Sequence, residues 1–320
     1  MPHYKKISER VEELKIDNPH TAALLKWINI TNAGKSEIDY LRKNYNFDLA
    51  HLKMAAASVS FQRPMIFKGK DYLCLVLHFP TFKDEKIIAG EIDFFIGHGF
   101  LVTAHNNNLK ALTDFFNLGK KSPGSLLSYS LESSAILLYE ILGHLIDSCY
   151  KLLDQNSLKI NEVEDLIFSG SQKEAVKQVL ALRRNIINIR RIIQNHKNIL
   201  QKLLEMESSL VEKAAIKKYY ANLVEHSKRI WEMLDNQKEM IEVLNNTNES
   251  MLNDRMTDIM KTLTIFSVIV LPLSLLTGIF GMNAKYMPFV DGHYGFWIIL
   301  GLMLLCSLGM LLFFERKKWL

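Results

Sequence analysis

Apolar and polar positions change their rhythm several times along this chain. Tyr72-Leu73-Cys74-Leu75-Val76-Leu77 is an unbroken apolar run of strand length and predicts a buried strand. Residues 86–95 and 99–103 predict two more, with Gly97 and Gly99 marking the turn between them. Pro64, Pro80 and Pro123 fall outside these runs, so a small sheet flanked by helices is expected up to about residue 130. From residue 131 the period becomes helical, and no proline occurs between Pro123 and Pro272. One helix is predicted over 131–168. Ser169-Gly170 breaks it, and Ser171 with Glu174 has the spacing of a capping box for a second helix reaching about Glu207. The two helices make a long antiparallel hairpin.

A third helix starts near Ala214, and nothing stops it decisively before Phe280. Such a helix is about 100 Å long. Leu223, Ile230, Leu244 and Met251 keep a seven-residue spacing, with Gln237 interrupting the stripe. So narrow a stripe needs partners. The helix then enters an uncharged stretch, 263–280, and a second uncharged stretch follows at 296–314. Each corresponds to about 27–29 Å of helix, enough for a hydrocarbon core of about 30 Å. Both are apolar on every face, which suits a membrane hairpin better than the buried hairpin of a soluble protein. No linker separates the polar part of the long helix from its apolar end. The two are expected to form one rigid rod, able to pass a cytoplasmic signal to a pore.

The net charge of +5 is modest. Its placement says more than its size. Arg255 and Lys261 precede the first apolar stretch, and Arg316, Lys317 and Lys318 follow the second; between them, Lys285 is offset by Asp291. The positive-inside rule puts both termini in the cytoplasm and the loop outside, in a multi-pass protein of the inner or plasma membrane. Residues 1–15 are charged and lack an apolar core, so no secretory signal is expected there. Arg183, Arg184, Arg190, Arg191 and Lys197 cluster on one helix without aromatic interleaving, which reads as a solvated face and not a nucleic-acid site. Cys74, Cys149 and Cys306 are scattered, which excludes a disulfide framework and fits a reducing cytoplasm. His78, His98 and His105 lack metal-ligand spacing and read as surface or core histidines. No phosphate-binding glycine loop, nucleophile elbow or zinc-protease motif occurs, so an enzyme is not expected.

Gly281-Met282-Asn283 closes the first apolar stretch. A neutral amide at the mouth of a membrane hairpin suits a hydrated cation. The run Leu271-Pro272-Leu273-Ser274-Leu275-Leu276-Thr277-Gly278-Ile279-Phe280-Gly281-Met282-Asn283 resembles the end of the first membrane helix of the CorA divalent-cation transporters. Met287-Pro288, the aromatic start of the second stretch and the Lys317-Lys318-Trp319-Leu320 ending resemble that family too, as does, more loosely, Asp93-Phe94-Phe95-Ile96-Gly97-His98-Gly99-Phe100-Leu101-Val102-Thr103. The resemblance implies an α+β cytoplasmic domain with a long helical stalk and two C-terminal transmembrane helices, assembled as a funnel-shaped homopentamer. Its divisions would be a cytoplasmic α/β domain at 1–130, a long-helix hairpin and stalk at 131–261, and a pore domain at 262–320. It implies passive uptake of Mg²⁺, with Co²⁺ and Ni²⁺ as surrogates, through a pore lined by the first span. Mg²⁺ is then the transported ion and a possible regulatory ligand, with no resident cofactor and no nucleic acid.

Mg²⁺ gives up its waters reluctantly, and an Asn carbonyl can accept hydrogen bonds from metal-bound water. Five copies of Asn283 would recognise the hydrated ion without a charge that traps it. Gly281 would let the backbone turn closely, and Met282 would pack the turn. Matched back from Asn283, the family's pattern places Ser274, Leu271, Leu263, Met260 and Thr257 along the pore, where apolar rings can gate by dewetting. Asn222 and Asn246 stand where better-known members carry Asp, so feedback by Mg²⁺ is expected to be weakened. Glu225, Asp235, Glu239 and Glu242 are nearby acids that could substitute or be solvated surface. The acid that usually follows Met-Pro is Phe289 here, which leaves Asp291 to attract cations to the mouth. Two other readings are a relative preferring Zn²⁺, Co²⁺ or Ni²⁺, and a membrane-anchored coiled-coil scaffold.

Overall fold

Alternate side chains of seven strands build the core of the N-terminal half. The computed structural model describes residues 4–17, 24–55, 64–83, 86–121, 133–205, 214–282, 294–317 and 319. The strands are β1 (Tyr4–Lys6), β2 (Val11–Asp17), β3 (Leu24–Thr31), β4 (Met65–Lys68), β5 (Tyr72–Lys83), β6 (Lys86–Gly97) and β7 (Phe100–His105). They lie in the order β1-β2-β3-β7-β6-β5-β4, and every described pairing is antiparallel except β3 with β7. The sheet is thus larger than the sequence suggests. Gly97 opposes Phe100 across the β6–β7 turn, where Gly99 takes φ +77. A side chain there would be strained.

Pro80 lies inside β5, contrary to expectation, and faces Ala89 of β6. The reason is local. β4 pairs with β5 only as far as Val76, so beyond that point β5 has no strand partner on that side among the described residues. A proline without an N–H is tolerated in such a position.

Helices α1 (Lys35–Tyr45) and α2 (Leu49–Ala55) cover one face of the sheet, where Leu41, Phe47 and Leu52 share a core with Ile28, Ile30, Cys74, Phe95, Val102 and Ala104. Trp27, one residue out of phase with Ile28, points to the other face. There it meets Phe115 and Phe116 of α3 (Lys110–Lys121) at 5.5 and 4.9 Å between ring centres. His78 and His105 are buried in the sheet and His98 is exposed. His78 Nε2 lies 2.9 Å from Glu91 Oε2, and His105 Nδ1 accepts the Asn107 N–H at 3.1 Å.

α4 (Ser134–Phe168) ends where Ser169-Gly170 predicts. Gly170 has φ +90, its N–H reaches Ile167 O at 3.3 Å, and the Ser171 N–H reaches Leu166 O at 3.0 Å. This is a Schellman ending. α5 (Gln172–Ile193) therefore begins without the expected capping box: the Ser171 side chain makes no cap hydrogen bond, and Glu174 pairs with Lys177 at 3.3 Å instead. Nor does the helix continue to Glu207. It breaks at Gln194-Asn195, and α6 (His196–Glu205) turns so that His196 Nε2 reaches His78 O at 2.7 Å. Glu207 itself is outside the described residues.

α7 (Ala214–Phe280) is one continuous helix, and α8 (Gly295–Arg316) follows. Two compact units, Met1–Leu244 and Asn245–Leu320, divide the chain within α7. In the first unit Tyr220, Leu223, Ile230, Leu234, Ile241 and Leu244 are buried along α7. Gln237 does not interrupt this stripe. It is buried with it, and its Nε2 donates to Leu153 O at 2.7 Å and to Ser157 Oγ at 2.9 Å on α4. Tyr220 OH donates to Ala135 O at 2.8 Å, so α4 is the partner that the narrow stripe requires.

Candidate functional site

In the second unit α7 and α8 are each long and apolar enough to cross a membrane, and almost nothing in either apolar window is buried. The exposure that remains is patterned. On α7, Ile265 is buried, and Ile269, Pro272, Leu273, Leu276 and Phe280 are half-covered. Their spacing places them on one side of the helix at about 100° per residue. α8 carries a matching stripe of Gly295, Ile299, Met303, Cys306, Ser307, Met310 and Phe314. Covered positions thus recur along one stripe of each helix.

Met260, Leu263, Leu271 and Ser274 lie on the opposite side of α7 and are all exposed, Leu263 to 66%. Thr257 stands at the border of the same face. Two hydroxyls missed in the sequence reading belong there too. Met260, Ser267, Ser274 and Gly281 follow one another at seven-residue spacing, and so do Thr257, Thr264, Leu271 and Gly278. Their seven-residue spacing from the other members of the face is the sequence signal that marks them.

Three of the hydroxyls on this face, those of Thr257, Thr264 and Ser267, are held by the helix itself. Thr257 Oγ1 donates to Asn253 O at 2.9 Å, Thr264 Oγ1 to Met260 O at 2.8 Å, and Ser267 Oγ to Leu263 O at 2.9 Å. With each proton engaged on the backbone, the oxygen lone pairs are left facing outward. They can accept from water, including water bound to a cation. Near the helix end Thr277 Oγ1 donates to Ser274 O at 2.8 Å. The Gly281 N–H reaches Thr277 O at 2.8 Å, and a Cβ at Gly281 would stand 2.8 Å from that same oxygen. Met282 is 63% exposed. Asn283 and Asp291 lie outside the described residues.

In the first unit, Asn222 lines a cleft of about 260 Å³ between α4 and α7, with Glu140, His144, Asp147 and His226. Burial raises the Glu140 carboxyl and lowers the His144 imidazole from their ordinary values, while Asp147 partly restores His144. His226 Nδ1 is 3.0 Å from Tyr150 OH. The other candidate acids are engaged or remote. Glu225 meets Arg229 at 3.5 Å, Glu242 meets Lys238 at 3.5 Å, and Asp235 pairs with Arg190 of α5, whose guanidinium stacks on Trp231. Glu239 is exposed. Asn246 is exposed as well. Among the described residues no group of three His, Cys, Asp or Glu side chains is placed to hold a metal ion.

Comparison with known proteins adds a family to this geometry. The family described as CorA-like Mg²⁺ transporter protein matches residues 23–317. The protein YfjQ of Bacillus subtilis (strain 168) is 26% identical over 293 residues, covering 92% of this chain and 89% of that protein. The cobalt/magnesium transport protein CorA of Thermotoga maritima is 28% identical over 184 residues, 58% of this chain and 52% of that protein. Its counterpart in Methanocaldococcus jannaschii is 23% identical over 297 residues, 92% of each. The complete structure of the CorA magnesium transporter from Methanocaldococcus jannaschii superposes with a TM-score of 0.81 at 21% identity, covering 92% of both chains. That likeness is one of fold: a mixed α/β N-terminal region, a long helix and two C-terminal apolar helices.

Proposed function

The chain belongs to the CorA-like Mg²⁺ transporter family, and from that premise we propose that it takes up Mg²⁺ passively through a homopentameric pore. It is a divalent metal ion transporter with two C-terminal membrane spans, not an enzyme. In our reading Co²⁺ and Ni²⁺ follow the same route. Residues 1–130 and 131–261 form its cytoplasmic domain and stalk, residues 262–320 form the pore domain, and both termini are cytoplasmic.

The observation that carries the reading is the two-sidedness of α7 within its span. One side carries the covered positions; the other, with Met260, Leu263, Ser267, Leu271 and Ser274, is exposed and left for a neighbour or an aqueous path. Hydroxyls with outward lone pairs, alternating with apolar side chains, suit a hydrated cation passing apolar constrictions. A plain membrane anchor has no use for that alternation. At the mouth, a ring of Asn283 amides accepts hydrogen bonds from the ion's waters, and Asp291 draws cations toward it. No energy coupling is required. An inside-negative potential of 100 mV is worth about 4.6 kcal/mol for a divalent ion, at about 2.3 per charge.

The test is Mg²⁺ uptake into proteoliposomes under an imposed inside-negative potential, for wild type and Asn283→Ala. Uptake by the wild type, lost in an assembled Asn283→Ala protein, is expected. Near-normal uptake by the mutant would remove Asn283 from the mechanism. Zn²⁺ uptake outrunning Mg²⁺ would move the chain to the Zn²⁺-preferring reading, for which the Phe289 substitution in the loop is the motive.

A further inference from the structure

On α7, exposed charges are answered on their own helix. Glu225 meets Arg229, Lys228 meets Glu232 and Lys238 meets Glu242, each across one turn. The outer faces of α4 and α5 segregate their charges instead. Asp147, Asp154, Glu162 and Asp165 are exposed on α4, and Lys173, Arg184 and Arg191 on α5. None of them makes an ion pair among the described residues. Each face also carries exposed apolar side chains: Leu158 on α4 is 63% exposed, and Leu180 and Ile187 on α5 are 59 and 49% exposed. At about 100° per residue, the acids and Leu158 share one side of α4, and the bases, Leu180 and Ile187 share one side of α5. The opposite sides are fixed in the core, by Leu153, Ile160 and Val163 on α4 and by Val179, Leu182 and Ile186 on α5. Neither stripe can turn inward to meet the other within one chain.

The two stripes complement each other when run antiparallel. Setting Leu158 against Leu180 puts Asp154 against Arg184, Asp165 against Lys173 and Asp147 against Arg191. Glu162 then faces Val176, between Lys173 and Lys177, and Lys151 lays its aliphatic stem on Ile187. The members of every pair are equally distant from Ser169, at the turn of the hairpin. They therefore lie at one height along the two antiparallel helices. A neighbouring copy turned about an axis parallel to the hairpin, without a shift along it, presents this register. We propose that the outer face of α5 docks on the outer face of α4 of a second copy of this chain, with Leu158 on Leu180 at its centre and opposite charges on either side. The two faces are different, so the contact is heterologous. Each copy gives its α4 face to one neighbour and its α5 face to another, and rotation closes the series into a ring. The inference rests on the homopentameric reading above and supplies that assembly with a subunit contact, in which opposed charges fix the register.

The test co-expresses two full chains with different affinity tags, one carrying Leu158→Cys and the other Leu180→Cys. Both positions are exposed, so neither substitution opens a cavity. Mild oxidation of the purified mixture is expected to join the two tags through a disulfide that mass spectrometry locates between residues 158 and 180. Either variant expressed alone should give no more joining than wild type, whose Cys74 and Cys149 are buried. Asp154→Arg in the first chain should slow the joining about threefold, the scale of one exposed ion pair. Arg184→Asp in the second chain should restore it, which a merely misfolded variant would not allow. The native mass of the unoxidised wild type is read alongside and separates this proposal from the reading beneath it. A pentamer in which residues 158 and 180 do not join would overturn the contact and leave the pentameric reading standing. A monomer would overturn both. Slowing by Asp154→Arg that Arg184→Asp fails to relieve would overturn the proposed register.

Discussion

Two glycines at the end of α7 should answer the same substitution in opposite ways. At Gly281 an added Cβ would meet the Thr277 carbonyl oxygen at 2.8 Å, a backbone atom that cannot swing aside. That oxygen also accepts the Gly281 N–H at 2.8 Å. The turn can relieve the clash by giving up this hydrogen bond, at about 1 kcal/mol, or by straining the helix end, at about 1–3 kcal/mol. Gly281→Ala should therefore disfavour the native geometry at the helix end by about 1–3 kcal/mol. At about 1.4 kcal/mol per factor of ten, that is a loss of roughly 5–140-fold in the share of molecules holding the transporting geometry. Three residues earlier, a Cβ at Gly278 meets nothing within 4 Å. Gly278→Ala should stabilise the helix by up to about 1 kcal/mol and leave transport near wild type. The assay is the initial rate of Mg²⁺ entry into dye-loaded proteoliposomes at fixed inside-negative potential, normalised to assembled protein by size-exclusion chromatography. Wild-type rates from Gly281→Ala, or an equal loss from Gly278→Ala, would refute the argument that close backbone approach at Gly281 sets the mouth of the pore.

Other expectations follow from the same residues. Leu263→Ala or Met260→Ala should raise leak current in planar bilayers, because less apolar area around the axis lets water persist; wild-type conductance in both would place the gate elsewhere. Asn222→Asp adds a carboxylate to the cleft that holds Glu140 and Asp147, so cytoplasmic Mg²⁺ should inhibit uptake at lower concentration than in wild type. Strong wild-type inhibition unchanged by the substitution would assign sensing to other acids. Burial holds the imidazoles of His105 and His196 down at about 4. An unfolded chain takes up these protons first, near 6.5, so their contribution is complete above pH 6.5 and declines as pH falls toward 4, by at most about 3 kcal/mol each. Asp93 acts oppositely. Its carboxyl is raised by burial and by Glu91, so its share favours the fold in acid and fades as pH rises. Chemical denaturation between pH 7 and 4.5 should show a net acid loss that His105→Gln reduces; an unchanged slope would exclude His105 as a source.

The sequence was legible where a local signal decides the structure. Ser169-Gly170 ended α4 because a Schellman turn needs a residue at positive φ, and glycine provides it. The long helix kept its predicted limits because no glycine or proline capable of stopping it occurs before the membrane span. Strands β1 to β4 escaped notice for the opposite reason. In β2, Val11-Glu12-Glu13-Leu14-Lys15-Ile16 mixes charge with apolar residues, and what makes it a strand is pairing with β3. β3 in turn pairs in parallel with β7, matching residues 26–31 to 100–105. No local pattern encodes a partner so distant. Pro80 and Ser171 misled in the same way, since the first depends on where β4 stops and the second on a turn already closed by backbone bonds. At the site, the helix face was legible, whereas the engagement of Asp235 by Arg190 required knowing which helix α7 packs against.

Gln237 shows what the seven-residue spacing encodes. Counted as an apolar stripe, the pattern Leu223, Ile230, Leu244 and Met251 is broken at this position. Counted as a stripe of covered residues, it is whole: Tyr220, Leu223, Ser227, Ile230, Leu234, Gln237, Ile241, Leu244 and Asn248 alternate steps of three and four. Burial, not apolarity, is the repeating property; Leu153 O accepts from Gln237 Nε2 and Leu223 O from Ser227 Oγ, while Gln237 Oε1 and Asn248 Oδ1 are buried without a hydrogen-bond partner among the described residues. The same count carried along the sequence falls on Ile265, Ile269, Pro272 and Leu276, the covered side of the span. The opposite rows, Met260-Ser267-Ser274-Gly281 and Thr257-Thr264-Leu271-Gly278, keep the same seven. A merely lipid-facing surface imposes no such repeat, since any apolar residue satisfies it. On the proposed pentameric reading these rows, which place hydroxyls and large apolar side chains on one helix face, would look toward a neighbouring helix or the pore axis.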